Sequence, residues 1–457
     1  MSAMTKAATP NIQDLTQGPI QSHLIRMTIP MFFGISSMII ASMIETIYIG
    51  VLGANELAAY SFTFPLIMGL SSLSMGIGTG ASSIIARAQG AGDRQRVRQL
   101  ATHALILTTL LVSLLVVTGY LYKQDLFEIM GAEDHILQLI KEYTDIWILG
   151  LALFTWPMLV TTILRAVGNA KLPGMIMTGS SGLQIVVAPI MIFGLLGHPE
   201  LGFVGSAWAS IATGLVRTGG MFWILIKQED LLVINQRAVV GFMRSSREIL
   251  YIGIPSMLNS LIGPVSMGII LWLLSEHGSE VVAGFGITSR FEMLALMILM
   301  SLSSSVGPFV GQNWGARNIE RVYQSLSIAY KFCIGWGLLC CALLAPLGDE
   351  IVALINDDPL LVESAGWYLL ITPITFGVLG VGMISGSLFV ALGKPLPTTI
   401  MAVLRMVIIH LPLAALLNIY WGYIGIFAAT AIANVIMGVI AVTWSRRVLA
   451  REIELRS

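Results

Sequence analysis

Charge is scarce in this chain. Asp, Glu, Lys and Arg make up 11% of its 457 residues, against roughly 25% in soluble domains. So few charges cannot solvate the surface of a large globular protein, and an ordinary soluble fold is excluded. Cysteine is scarcer still: Cys333, Cys340 and Cys341 lie in one apolar run, which excludes a disulfide framework or a CxxC redox pair. The six histidines form no HExxH motif and no Cys/His cluster, so no metal site is expected. The net charge of zero says nothing about nucleic acid by itself, and no nucleic-acid partner is expected. The first 22 residues, with Lys6, Pro10, Asp14 and Gly18, lack the apolar core and cleavage site of a signal peptide. The first apolar run is expected to stay as a membrane helix.

What is abundant is hydrocarbon: 56% of residues are hydrophobic. Apolar runs of about 20 residues recur along the chain, the length a helix needs to span a bilayer core. Twelve spans are expected, at 24–50, 57–84, 99–121, 140–164, 173–196, 204–226, 249–274, 281–308, 325–347, 365–391, 398–418 and 424–445. Barrel strands of about ten residues are too short to account for them. The expected fold is all-α and polytopic: a segment 1–23, a first six-helix lobe 24–226, a linker 227–248, a second lobe 249–447 and a tail 448–457. Lys123 and Lys141 follow odd-numbered spans, whereas basic clusters such as Arg94-Gln95-Arg96-Val97-Arg98 and Arg446-Arg447 follow even-numbered ones. The odd-side loops carry acids, among them Asp125, Glu128, Glu133, Asp134, Asp349, Glu350, Asp357 and Asp358. This bias places both termini in the cytoplasm.

The chain also contains itself twice. Shifted by 225 positions, Ile29-Pro30 falls on Ile254-Pro255, Gly53 on Gly278, Gly90-Ala91 on Gly315-Ala316, Arg96-Val97 on Arg321-Val322 and Gly168 on Gly393. Six spans per copy is an even number, so the copies run parallel about an axis along the membrane normal. Such duplication is expected of a transporter that rocks two half-molecules around a central site.

Candidate chemistry lies in the few polar residues within spans. Glu45 sits in span one, about 7 Å from its outer end. Gly34, Ser37, Met38, Ala41 and Ser42 precede it at helical spacing, a stripe that suits a protein interior or cavity better than lipid. A carboxyl group there loses hydration and can hold a proton near neutral pH. The competing reading is an acid that snorkels to the outer interface. Ile270 occupies the matched place in the second copy, so the copies share a scaffold but not this chemistry.

Glu292 and Arg290 lie in span eight, Glu292 about 16 Å in. Two residues apart on a helix, they do not face each other, so each requires another partner or water. The competing reading is a structural ion pair with Arg405, Arg217 or another helix. Gln184 and Asn259 are intramembrane amides suited to a ligand or to another helix. His410 is a candidate relay or a packing residue. Pro30 and Pro255, near the starts of spans one and seven, each remove a backbone hydrogen bond and permit a bend. Gly76-Ile77-Gly78-Thr79-Gly80 resembles a phosphate loop, but within a span and with no strand before it close helix packing is expected instead.

These residues resemble the multidrug and toxic compound extrusion (MATE) transporters. The run Ile29-Pro30 through Glu45-Thr46-Ile47-Tyr48-Ile49-Gly50-Val51-Leu52-Gly53 with Leu57-Ala58-Ala59 is similar to the family's opening motif. So are Gln89-Gly90-Ala91-Gly92-Asp93, Gly168-Asn169 and Gly311-Gln312-Asn313-Trp314-Gly315-Ala316. The resemblance covers about residues 20–447 and is nearest the DinF-like branch. It implies a twelve-helix, two-lobe antiporter of the MATE/MOP type, with Pro30 as the hinge of its first helix. Glu45 stands where that branch has a coupling aspartate, Gln184 where it has asparagine and Ser210 where it has threonine. Ala188 stands where the branch has a second aspartate. That departure weakens a sodium site, which wants several hard oxygen ligands, and favours protons.

The expectation is therefore a secondary antiporter, not an enzyme and without cofactor. It would export organic, cationic or amphipathic compounds in exchange for H+, with Na+ as the alternative ion. Glu45 and Glu292 are the coupling candidates, and Arg290, Gln184, Asn259, Ser210 and Met38 the substrate-cavity candidates. A monomer in the bacterial inner membrane is implied, with the lipid bilayer and small organic molecules as partners. The rival is a lipid-linked or metabolite exporter of the same superfamily.

Overall fold

The computed structural model describes residues 14–129, 134–233, 239–355 and 357–454. The segments 1–23 and 227–248 are thus described in part, and Glu133 lies outside the described residues. Among the described residues the chain is helical and holds no strand. The opening trio α1 (Ile20–Leu52), α2 (Ala54–Gly90) and α3 (Arg94–Ile129) is followed by α4 (Asp134–Leu149) and α5 (Leu151–Ala166). These two meet at Gly150 with a bend of 49° and make one broken span. Next come α6 (Lys171–Phe193) and α7 (Gly202–Trp223).

The second copy repeats the plan in α8 (Phe242–Ser275), α9 (Ser279–Gly315) and α10 (Ile319–Ala353). Its broken span is α11 (Pro359–Ile371) and α12 (Phe376–Ala391), joined across Pro373–Thr375. That break falls 225 positions after Gly150, so it belongs to the repeated scaffold. Then α13 (Leu396–Val403) passes through a π-helical turn (Leu404–His410) into α14 (Leu411–Glu454). The helical run from Leu396 to Glu454 has 59 residues, about 88 Å at 1.5 Å per residue and far beyond a bilayer core of about 30 Å. Gly422, with φ 57° and ψ −143°, breaks it; a side chain there would strain that backbone. Among the described residues ten helical runs are long and apolar enough to cross a membrane, and the bent pair makes an eleventh. The break at Gly422 brings the total to the twelve expected.

The chain folds into two units. Ile29–Gly253 belong to the first, and Leu15–Thr28 with the chain from Ile254 onward belong to the second. Each changeover falls within two residues of a matched proline, Pro30 or Pro255. Thus the first turns of α1 belong to the second unit, and the first turns of α8 to the first.

Matched arginines hold these lead-in segments. In the first unit Arg96 donates to Ser245 Oγ (3.1 Å) and pairs with Glu248 (2.7 Å). In the second, Arg321 donates to the carbonyl oxygens of Leu15, Gln17 and Gly18 (3.1, 3.3 and 2.9 Å). Asn313 both accepts from Arg321 and donates to the Leu15 carbonyl.

Within a bilayer, lipid tails are as apolar as leucine, so close backbone approach drives helix association more than hydrophobicity does. The glycine-rich stretch of α2 shows this. A Cβ on Gly80 would come 2.2 Å from the Ile249 carbonyl oxygen, and one on Gly253 would come 2.9 Å from that of Gly76. The stretch is a packing face, as its sequence context indicates. In the second unit Gly337 and Gly377 bring α10 and α12 equally close.

Candidate coupling and substrate sites

In the first unit, α1, α6 and α7 converge on Glu45. Its Oε1 accepts from Ser206 Oγ at 2.6 Å and from Gln184 Nε2 at 3.3 Å. The Gln184 amide also donates to Ser210 Oγ (3.2 Å), while its Oε1 accepts from Thr213 Oγ1 (2.5 Å). Both ends of the amide are therefore fixed, and its NH2 group is aimed at the carboxyl. Glu45 itself is partly buried, and among the described residues no cation pairs with it. Tyr143 is buried, stacked on Phe203 (4.7 Å between centroids) and edge-on to Tyr60 (6.2 Å).

Glu45, Gln184 and Ser210 thus lie in one hydrogen-bonded chain. Met38, two turns before Glu45, is partly buried and has no part in the hydrogen bonds. Ser206 and Thr213 were not singled out from sequence. The available signal was spacing: Ser206, Ser210, Thr213 and Arg217 follow one another at intervals of four, three and four, one face of a helix. Arg217 ends that line by donating to the Leu153 carbonyl (3.3 Å). Ala188, where a second acid would stand, is 1% exposed and packs with Ile192 and Ala209 against Tyr48 and Leu52. The site therefore has a single carboxylate, and among the described residues no group of three His, Cys, Asp or Glu could hold a metal ion.

In the second unit Glu292 accepts a hydrogen bond from Tyr368 Oη. Arg405 donates to Asn434 Oδ1 (3.0 Å), and Asn434 donates to Thr375 (3.1 Å). His410 shares a hydrogen bond with Thr430 (2.9 Å). Tyr368 was invisible to sequence reasoning because nothing in an apolar span marks which tyrosine meets an acid. Arg290 is exposed and Asn259 partly buried; among the described residues neither side chain makes a hydrogen bond or ion pair.

The MatE family model matches residues 30–190 and again 255–416, once in each repeat. The chain belongs to the MatE family. A relative described as an FAD transporter from Shewanella oneidensis is 32% identical over 95% of this chain and 96% of its own. A Bacillus subtilis protein described as a probable multidrug resistance protein, YoeA, is 25% identical over 88% and 89%. The crystal structure of the Vibrio cholerae MATE transporter VcmN in the bent form superimposes with a TM-score of 0.90. It is 28% identical and covers 94% of this chain and 97% of its own. This MatE protein is a polytopic membrane transporter with bacterial relatives, and it is not an enzyme.

Proposed function

We propose that the chain is a secondary antiporter that exports organic compounds in exchange for protons, with Glu45 as the carboxyl that carries the coupling proton. The observation behind this reading is the Glu45 site itself: one carboxyl group within a membrane span, bonded by two neutral donors from two other helices. A charge held within a membrane span is costly, and uptake of a proton removes it. Because Ser206 and Gln184 bind the same oxygen, a change in its charge alters how α1, the helix that also carries the hinge residue Pro30, is held against α6 and α7. A proton rather than sodium suits a site with one carboxylate, since sodium calls for several hard oxygens. One charge crossing 100 mV supplies about 2.3 kcal/mol, enough for roughly a fiftyfold substrate gradient.

The relatives divide over substrate. One is named for multidrug resistance, which favours amphipathic drugs. The other, more similar in sequence, is named for FAD, and this supports a second reading as a metabolite exporter. The bacterial relatives support a location in an inner membrane, and the charge bias of the loops supports cytoplasmic termini.

Purified protein in proteoliposomes tests the coupling. A pH gradient should drive dye or flavin transport, a sodium gradient should not, and Glu45→Gln should abolish the pH-driven component while leaving the protein folded. Transport that Glu45→Gln leaves intact would sink this assignment.

A further inference from the structure

Arg290 departs from both its surroundings and its repeat. It follows Ser279, the first residue of α9, by eleven positions, about 16 Å along the helix and roughly half of a 30 Å bilayer core. Snorkelling relieves arginines near helix ends, not one at this depth. Yet its side chain is exposed and, among the described residues, has neither hydrogen bond nor ion pair. The nearby acid does not neutralise it: Glu292 is engaged by Tyr368 and forms no ion pair with Arg290 among the described residues.

The other intramembrane cations discussed above are tied, Arg217 to the Leu153 carbonyl and Arg405 to Asn434. An exposed guanidinium facing hydrocarbon would be strongly disfavoured, so Arg290 faces water. One turn and two turns before it on the same side stand Gly286 and Ala283, also exposed. These small residues leave space beside the guanidinium. In the first repeat Pro65 occupies the matched position, so the common scaffold does not require an arginine there.

We propose that Arg290 is the group that recognises an anionic moiety, phosphate or carboxylate, on the exported solute, and that the substrate class is therefore an organic anion or zwitterion rather than a simple cation. This rests on the exporter reading above and narrows its substrate. A guanidinium offers a planar pair of N–H donors that matches both anions bidentately. FAD, which carries two phosphates, is a suitable probe, and riboflavin, the same ring system without phosphate, is its control.

Equilibrium binding to the intact protein in nanodiscs, read by flavin fluorescence and without any ion gradient, separates this idea from proton coupling. Its failure would leave the gradient experiment standing, and the reverse also holds. Wild-type protein should bind FAD at least about tenfold more tightly than riboflavin. Arg290→Gln should lower FAD affinity to the riboflavin level and leave riboflavin unchanged, while Arg290→Lys, keeping the charge without the fork, should fall between them. Equal binding of the two flavins by wild-type protein, binding of neither, or an equal loss of both in Arg290→Gln would overturn the assignment. Discs of neutral phosphatidylcholine and of anionic phosphatidylglycerol distinguish solute from lipid. If FAD selectivity survives Arg290→Gln while a phosphatidylglycerol effect disappears, the guanidinium serves a lipid headgroup and the proposal fails.

Discussion

A hydroxyl group in a helix usually bonds back to the carbonyl one turn earlier, and Thr213 does so to Ala209 (2.9 Å) while also donating to Gln184 (2.5 Å). That double duty explains what the sequence could reveal at residue scale. Glu45 was legible because an acid within a span is costly, Gln184 as an amide within a span, and Ser210 because the resemblance matches it to a family threonine. Ser206 and Thr213 were hidden among many hydroxyls satisfied by their own helix. Their roles follow from the rotation of α7 against α6, which no residue type encodes. The energetics predict a measurable cost. Thr213→Val keeps the shape but leaves the Gln184 carbonyl oxygen without its donor, so it should destabilise the protein by about 1–3 kcal/mol. Thermal unfolding in detergent checks this; an unchanged midpoint would mean that water or another group satisfies the amide. Ala188 marks the opposite case, where the resemblance signalled a departure and the structure fills the place with packed hydrocarbon.

At the scale of elements, the prolines that open each repeat are braced from the side. A Cβ on Gly174 of α6 would lie 2.6 Å from the Pro30 carbonyl oxygen, so α6 runs against α1 at its weakest turn. The matched residue 225 positions later is Thr399, which donates to the Pro255 carbonyl at 3.1 Å. One repeat meets its proline turn by close approach and the other by a hydrogen bond. Gly174→Ala should therefore cost about 1–3 kcal/mol through overpacking. Gly182→Ala on the same helix, with open space around it, should be neutral or slightly stabilising, since alanine is the better helix former. Thermal midpoints of the two variants check the contrast, and equal shifts would refute the brace. Span number and order were readable from apolar runs and alternating loop charge. Helix ends were less so: α2 reaches Gly90 and α9 reaches Gly315, beyond the expected 84 and 308. Their last turns are polar and held by side chains such as Gln312 and Asn313, which bond the segment around Leu15. Hydropathy does not register them.

Across the whole molecule, duplication supplies the scaffold and departures from it supply the chemistry. The matched arginines Arg96 and Arg321 keep the same structural task in both copies, whereas Glu45 meets Ile270 and Arg290 meets Pro65. The repeat was visible in the sequence. That Leu15–Thr28 belong with the second unit was not, because it rests on hydrogen bonds between residues about 300 positions apart. An antiporter that uses one carboxyl for coupling must release its proton when substrate binds, since the two are linked reciprocally. The most direct test is to titrate substrate into wild-type and Glu45→Gln protein in weakly buffered detergent solution and count the protons released. The wild type should release about one proton per substrate bound near the coupling pH, and Glu45→Gln close to none. Equal release from both proteins would contradict the assignment of Glu45 as the coupling group.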